Sequence, residues 1–107
     1  MEISFQAHHA VISDRMRTRA ERAVRRIAER VHRPVNAVIR FEEDGRTRRV
    51  EIVLNAPPQR RLVAEATARF FGNALTLAAQ RLLACVARER RRVKPARRAT
   101  PRLAARA

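Results

Sequence analysis

The stretch AVIRFEEDGRTRRVEIVL, residues 37–54, decides how this chain folds. In its first part Ala37, Ile39 and Phe41 alternate with Val38, Arg40 and Glu42. In its last part Val50, Ile52 and Leu54 alternate with Glu51 and Val53. Successive side chains of a strand point to opposite faces, so each run reads as a strand with one face for a core. Between them lies Glu43-Asp44-Gly45-Arg46. An Asp-Gly pair flanked by alternating runs is the strongest short-range hairpin signal, because these residues tolerate the backbone angles of a tight turn. The outcome is an antiparallel pair whose apolar face must be covered by the rest of the chain.

Upstream, Glu2-Ile3-Ser4-Phe5-Gln6-Ala7 alternates in the same way and predicts a first strand, followed by a link at His8, His9 and Ala10. Ser13 or Asp14 then caps a helix expected to run to about Val31 and to stop before Pro34. Met16, Ala20, Ala23, Val24, Ile27 and Val31 recur at steps of three and four, on an arc roughly 100° wide. Arg15, Arg19, Arg22, Arg26 and Arg30 recur likewise on a separate arc. Downstream, the break Asn55-Ala56-Pro57-Pro58-Gln59 precedes Leu62-Val63-Ala64-Glu65-Ala66, a fourth strand. A second helix is predicted from about Arg69 to Arg92, with Phe71, Leu75, Ala78, Leu82 and Val86 as its buried stripe and Arg81, Arg88 and Arg92 flanking it. Past Val93 the pattern ends in a basic, Pro-punctuated segment, residues 94–107, expected to be a disordered tail. The order β-α-β-β-β-α implies an α+β fold, a four-stranded sheet with two helices packed on one face, as one domain over residues 1–93.

Charge supplies the functional direction. Of 25 basic residues 24 are Arg, with Lys94 the one Lys, against 10 acids, for a net charge of +15 over 107 residues. Before Leu54 there are 12 Arg against 8 acids; from Leu54 on, 13 bases face only Glu65 and Glu89. Such an excess opposes compaction and predicts a polyanionic partner, nucleic acid first. The sign of the charge says more than the choice of Arg over Lys, which a GC-rich genome also produces. The length allows one domain that buries about two-thirds of its unfolded surface. With four Phe and no Trp or Tyr, the core should be small and aliphatic. A single cysteine, Cys85, excludes an internal disulfide and fits a reducing compartment. The sequence shows no secretory leader and no apolar run near 18 residues, so the expected location is the cytosol, with no membrane partner.

Nothing points to catalysis. Two Ser, two Asp and one Cys fall in no nucleophile–base spacing, and Gly45 and Gly72 are the only glycines, so neither a P-loop nor a Gly-x-Gly loop exists. No cofactor, metal or small-molecule substrate is expected. His8-His9 is no metal pair, since adjacent strand residues point to opposite faces and no further Cys/His cluster supplies ligands. Glu42, Glu43 and Asp44 read as a solvated turn that holds Arg46 and Arg48 by charge. Cys85 falls on the apolar side of the second helix and reads as a small core residue. One of Phe70 and Phe71 must begin the helix core; the other could stack on a base.

The whole pattern resembles a family, the ribosome hibernation-promoting factors and ribosome-associated translation inhibitors of bacteria, in their short form. The resemblance covers about residues 1–93. It is carried by the opening Met-x-Ile-x-Phe strand, Ile12-Ser13 leading into a basic first helix, and Arg49-Val50-Glu51-Ile52 in the third strand. Ala64-Glu65-Ala66 before the second helix also matches, as does Gln80-Arg81-Leu82 where the family usually has Asp-Lys-Leu. The departures lie in the second helix. Arg69-Phe70-Phe71-Gly72-Asn73-Ala74-Leu75 stands in place of an Asp-Met-Tyr-Ala-Ala-Ile-Asp run, and Ala84-Cys85-Val86 in place of Arg-Gln-Leu. The resemblance implies a non-catalytic protein that lodges in the small ribosomal subunit, over the path of mRNA and tRNA, and inhibits translation by occupancy; nothing in the sequence suggests an obligate dimer, and a monomer is expected.

Arginine suits such a role because its planar fork binds phosphate bidentately and stacks on bases. The expected RNA-binding residues are the first-helix stripe, Arg15, Arg19, Arg22, Arg26 and Arg30. With them go Arg81, Arg88, Arg90, Arg91, Arg92 and Lys94 on and after the second helix. The plainer reading of the stripe is a solvated face with Glu21 and Glu29 pairing locally, and of the C-terminal cluster a complement to the helix dipole. Four bases within positions 88–92 exceed what capping needs. The alternative function is a generic double-stranded RNA or nucleic-acid-binding module without ribosome specificity, and a third is docking of the basic tail on an acidic partner or anionic membrane.

Overall fold

The hairpin stands where the alternation puts it. β2 (Asn36–Asp44) and β3 (Thr47–Ala56) pair antiparallel, with Ile39 opposite Ile52 and Asp44 opposite Thr47. Gly45 takes the first place of the two-residue turn at φ +61°, the left-handed backbone a type II′ hairpin asks of glycine. Thr47 Oγ1 donates to the Asp44 carbonyl at 2.9 Å and closes the turn. β4 (Arg60–Ala68) adds antiparallel to β3, and β1 (Glu2–His8) adds parallel to β2, giving a four-stranded mixed sheet in the order β1-β2-β3-β4. This structure, a computed structural model, describes residues 1–57 and 60–106, with side chains as far as Arg90. Pro58 and Gln59, in the break read before the fourth strand, lie outside the described residues.

β1, β2 and β4 run one way, so the helices that follow β1 and β4 start at the same end of the sheet. α1 (Asp14–Ala28) is capped by Ser13, whose Oγ accepts from Met16 N at 3.1 Å, while Asp14 places a negative charge in the first turn. The sequence reading carried this helix to Val31. It ends at Ala28 because Arg30 N and Val31 N bond three residues back, to the carbonyls of Ile27 and Ala28, each at 3.0 Å. That is the tighter pattern of a closing turn. Arg33 then reverses the chain at φ +55°.

α2 spans Phe71–Arg106. The segment expected to be a basic tail falls, as far as Arg106, within the range of α2. Ala and Arg dominate that segment, and both are strong helix formers.

Ala20, Val24 and Ile27 of α1 and Leu75, Ala78, Leu82 and Val86 of α2 close over Ile39, Phe41, Val50, Ile52 and Leu54, all of them buried. The Phe71 ring meets the Phe41 ring edge-on, centroids 5.6 Å apart. Phe71 is therefore the phenylalanine that begins the helix core. Among the described residues no polar or charged side chain is buried, so burial of apolar surface holds the two layers together.

Candidate nucleic-acid interface

α1 presents its two arcs as its periodicity requires. With the apolar arc on the core, Arg15, Arg19, Arg22 and Arg26 come together around a shallow open groove of about 540 Å³, joined by Thr18 and Ala23. All four are exposed. Among the described residues, ion pairs are made by Arg25, Arg40, Arg48 and Arg49, and none by these four. Arg30 lies past the end of α1 and is also exposed. Arg17 and Arg25, on the other side of α1, turn toward β1: Arg17 stands 6.0 Å over the Phe5 ring, and Arg25 donates to Met1 O at 3.3 Å.

Arg19 also joins the two helices. Its Nη2 donates to Thr76 Oγ1 at 2.9 Å and to the Gly72 carbonyl at 3.4 Å. Gly72 makes room for it, since a Cβ there would lie 2.9 Å from Arg19 Nη1. Beneath, a second groove of about 280 Å³ runs between the helices, bordered by Arg19, Arg26, Leu75, Thr76 and Leu83.

The second-helix arginines stand elsewhere. Arg81 and Arg88 line a groove of about 420 Å³ on the opposite flank of α2, over β4, with Val63, Glu65 and Cys85. Arg81 Nη1 donates to the Glu65 carbonyl at 2.7 Å. β4 is an edge strand whose outward carbonyls need partners, so this arginine seals the edge with one of its five donors. Cys85, expected inside the core, is half-buried on this flank: its Sγ lies 3.9 Å from the Val63 carbonyl it donates to, and Arg88 Nη2 donates to Sγ at 3.2 Å. Arg90 is exposed further along α2. Arg91, Arg92 and Lys94 stand on the α2 backbone, but their side chains lie outside the described residues. The expected set is thus split between two flanks of α2.

The open face of the sheet is of another kind. Gln6, Arg40, Glu51 and Glu65 form one row across all four strands, and Arg49 stands opposite Glu42 in the next. Arg40 bonds Gln6 at 3.0 Å and Glu51 at 3.4 Å, while Arg49 reaches Glu51 at 3.4 Å, Glu42 at 3.8 Å, and Glu65. The hydrogen bond to Glu65, opposed by burial and aided by the charges of Glu65, Glu51 and Glu42, holds Arg49 above the usual arginine value. Arg48 joins hairpin to helix: it pairs with Glu43 at 3.1 Å, donates to the Arg69 carbonyl at 3.0 Å, and stands 5.9 Å over the Phe71 ring. Glu43 thus holds Arg48, as the hairpin charges suggested. The Arg48 contacts to α2, and which of Phe70 and Phe71 is exposed, are not legible in the sequence, which lacks strand register and helix placement.

Together these features define a small α+β module whose helical layer gathers exposed arginines that make no ion pair among the described residues. The chain belongs to the family described as Sigma 54 modulation protein / S30EA ribosomal protein, whose model matches residues 3–94. Its fold is similar to a ribosomal subunit interface protein from Coxiella burnetii, with a TM-score of 0.75 and 18% identity, covering 84% of this chain and 98% of that one. It is similar also to the N-terminal domain of Protein Y from Thermus thermophilus, with a TM-score of 0.72 and 22% identity, covering 82% and 98%. Among curated proteins none matches the chain. Among the described residues no helix is long and apolar enough to cross a membrane.

Proposed function

We propose that this protein binds the small ribosomal subunit through its helical layer, occupies the path of mRNA and tRNA, and inhibits translation without catalysis, as a hibernation factor of the cytosol. The observation that carries the reading is the groove of Arg15, Arg19, Arg22 and Arg26, four exposed arginines that make no ion pair among the described residues, on one face of a domain of this family. Ribosomal RNA offers phosphates at many angles, and a rigid helix bearing four forks on one arc reads backbone shape rather than sequence. Residues 1–93 are the ribosome-facing unit in this reading. Residues 94–107 are a basic extension that adds affinity for RNA of any sequence.

Cosedimentation with separated small and large subunits, across a salt series and with competing mRNA, tests it. The expected result is stoichiometric binding to the small subunit that persists at physiological salt and is lost to mRNA. Equal, salt-labile binding to both subunits and to bulk duplex RNA overturns it in favour of a generic RNA-binding module.

A further inference from the structure

Resting on that reading, we propose that Phe70 is a base-stacking residue, a fixed aromatic shelf for an unpaired base of the RNA that the α1 arginines hold by its phosphates. The chain has four phenylalanines and no Trp or Tyr. Three of the rings serve the fold. Phe41 is fully buried, Phe71 packs edge-on against it, and Phe5 is half-buried under Arg17. Phe70 is 61% exposed, among the described residues the most exposed large apolar side chain after Val11. Burial therefore gains little from a ring at this position.

The ring stands on a pinned corner. Arg48 Nη1 holds the Arg69 carbonyl at 3.0 Å, Arg19 Nη2 holds the Gly72 carbonyl at 3.4 Å, and Ala74 N bonds the Phe70 carbonyl at 3.0 Å. Its backbone is fastened on both sides and its neighbour Phe71 is anchored in the core, so little order remains to be imposed on binding. The corner is also cationic: Arg69 precedes the ring, and Arg19, one of the four groove arginines, reaches the backbone two residues after it. Every base offers a π-face, so an exposed ring beside phosphate-binding guanidiniums captures a single-stranded nucleotide without demanding its identity. A protein partner would also accept an exposed ring, but the surrounding charge favours a polyanion over an average protein surface.

The chain's lack of tryptophan makes the test direct. Phe70→Trp creates a sole fluorophore, to be titrated with a single-stranded decanucleotide of uridine or adenosine and, separately, with purified small subunits. Phe70→Ala, Phe70→Leu and Phe70→Tyr are compared with the natural protein in subunit binding, their melting temperatures serving as the control for folding. Stacking predicts quenching of the tryptophan by both RNAs, roughly tenfold weaker binding for Phe70→Ala and Phe70→Leu, and retention for Phe70→Tyr. A tryptophan signal unchanged at saturation, or leucine binding as well as phenylalanine, overturns the inference. A blue shift without quenching on the subunit also overturns it, in favour of a protein contact. If the natural protein does not bind small subunits, the proposed function fails by itself. The decanucleotide titration then still decides on stacking.

Discussion

On the open face of the sheet, Arg49 reaches Glu42, Glu51 and Glu65, and Arg40 reaches Glu51 and Gln6. On the helical face, Arg15, Arg22 and Arg26 meet no carboxylate among the described residues. The same side chain is spent on the fold in one place and left for a partner in the other. Register explains the first: Arg40 stands directly opposite Glu51, and Arg49 opposite Glu42, so cross-strand neighbours carry opposite charge. Glu51 and Glu65, also opposite one another, would repel without Arg49 between them. Placement along α1 explains the second: Glu21 lies off the arc of Arg15, Arg22 and Arg26 and pairs with Arg25, and Glu29 lies past the last turn. Net charge alone therefore does not mark an interface. What marks it is charge that the fold leaves unpaired and gathers on one arc, as α1 does with Arg15, Arg22 and Arg26.

The largest effect should come from below both faces. Leu82 is fully buried, and Leu82→Ala should cost about 2–5 kcal/mol of stability, weakening both faces together. Chemical denaturation of the variant checks this, and a loss below about 1 kcal/mol would mean that the shared core is looser than its burial implies.

Charge reversal then separates the faces. Arg22→Glu with Arg26→Glu should lower small-subunit affinity on the order of a hundredfold and flatten its salt dependence, with stability within about 0.5 kcal/mol of the natural protein. Unchanged affinity in the salt series would sink the proposed face. The sheet should answer in the opposite sense. Arg49→Met leaves Glu42, Glu51 and Glu65 without their shared cation, and should cost about 1 kcal/mol of stability while subunit affinity stays within about twofold. Strong loss of binding with an intact fold would place the sheet, not the helices, against RNA.

The smallest effect concerns the end of α2. Ending the chain after Val93 should leave the melting temperature unmoved and weaken binding about threefold at physiological salt, more at low salt, with the small-subunit preference kept. Abolished binding would instead support docking of the basic extension on an acidic partner or anionic membrane.

Much of this arrangement is legible in the sequence. Alternation at 37–42 and 50–54 with Asp44-Gly45 between required the hairpin, and Ser13 before an amphipathic run required α1. The α1 stripe could be drawn because it depends only on one helix's own turn. Arg81 and Arg88 were harder. Their side of α2 is defined by which flank meets α1 and which covers β4, and that depends on packing between elements far apart in sequence. Cys85 was placed in the core for the same reason, although it borders the β4 groove.

By itself, then, the sequence determined the elements, their order and the apolar stripe of each helix, because local propensity and periodicity act within a few residues. It also determined the excess of arginine. Only the tertiary structure decided the partners of that arginine. Opposite charges come within reach through the register of strands separated by turns and helices. The turn from β4 into α2, pinned by Arg48 and Arg19, sends Phe71 inward to Phe41 and leaves Phe70 in water. Adjacent identical side chains carry no sign of which way the backbone will face them; the contacts around them do.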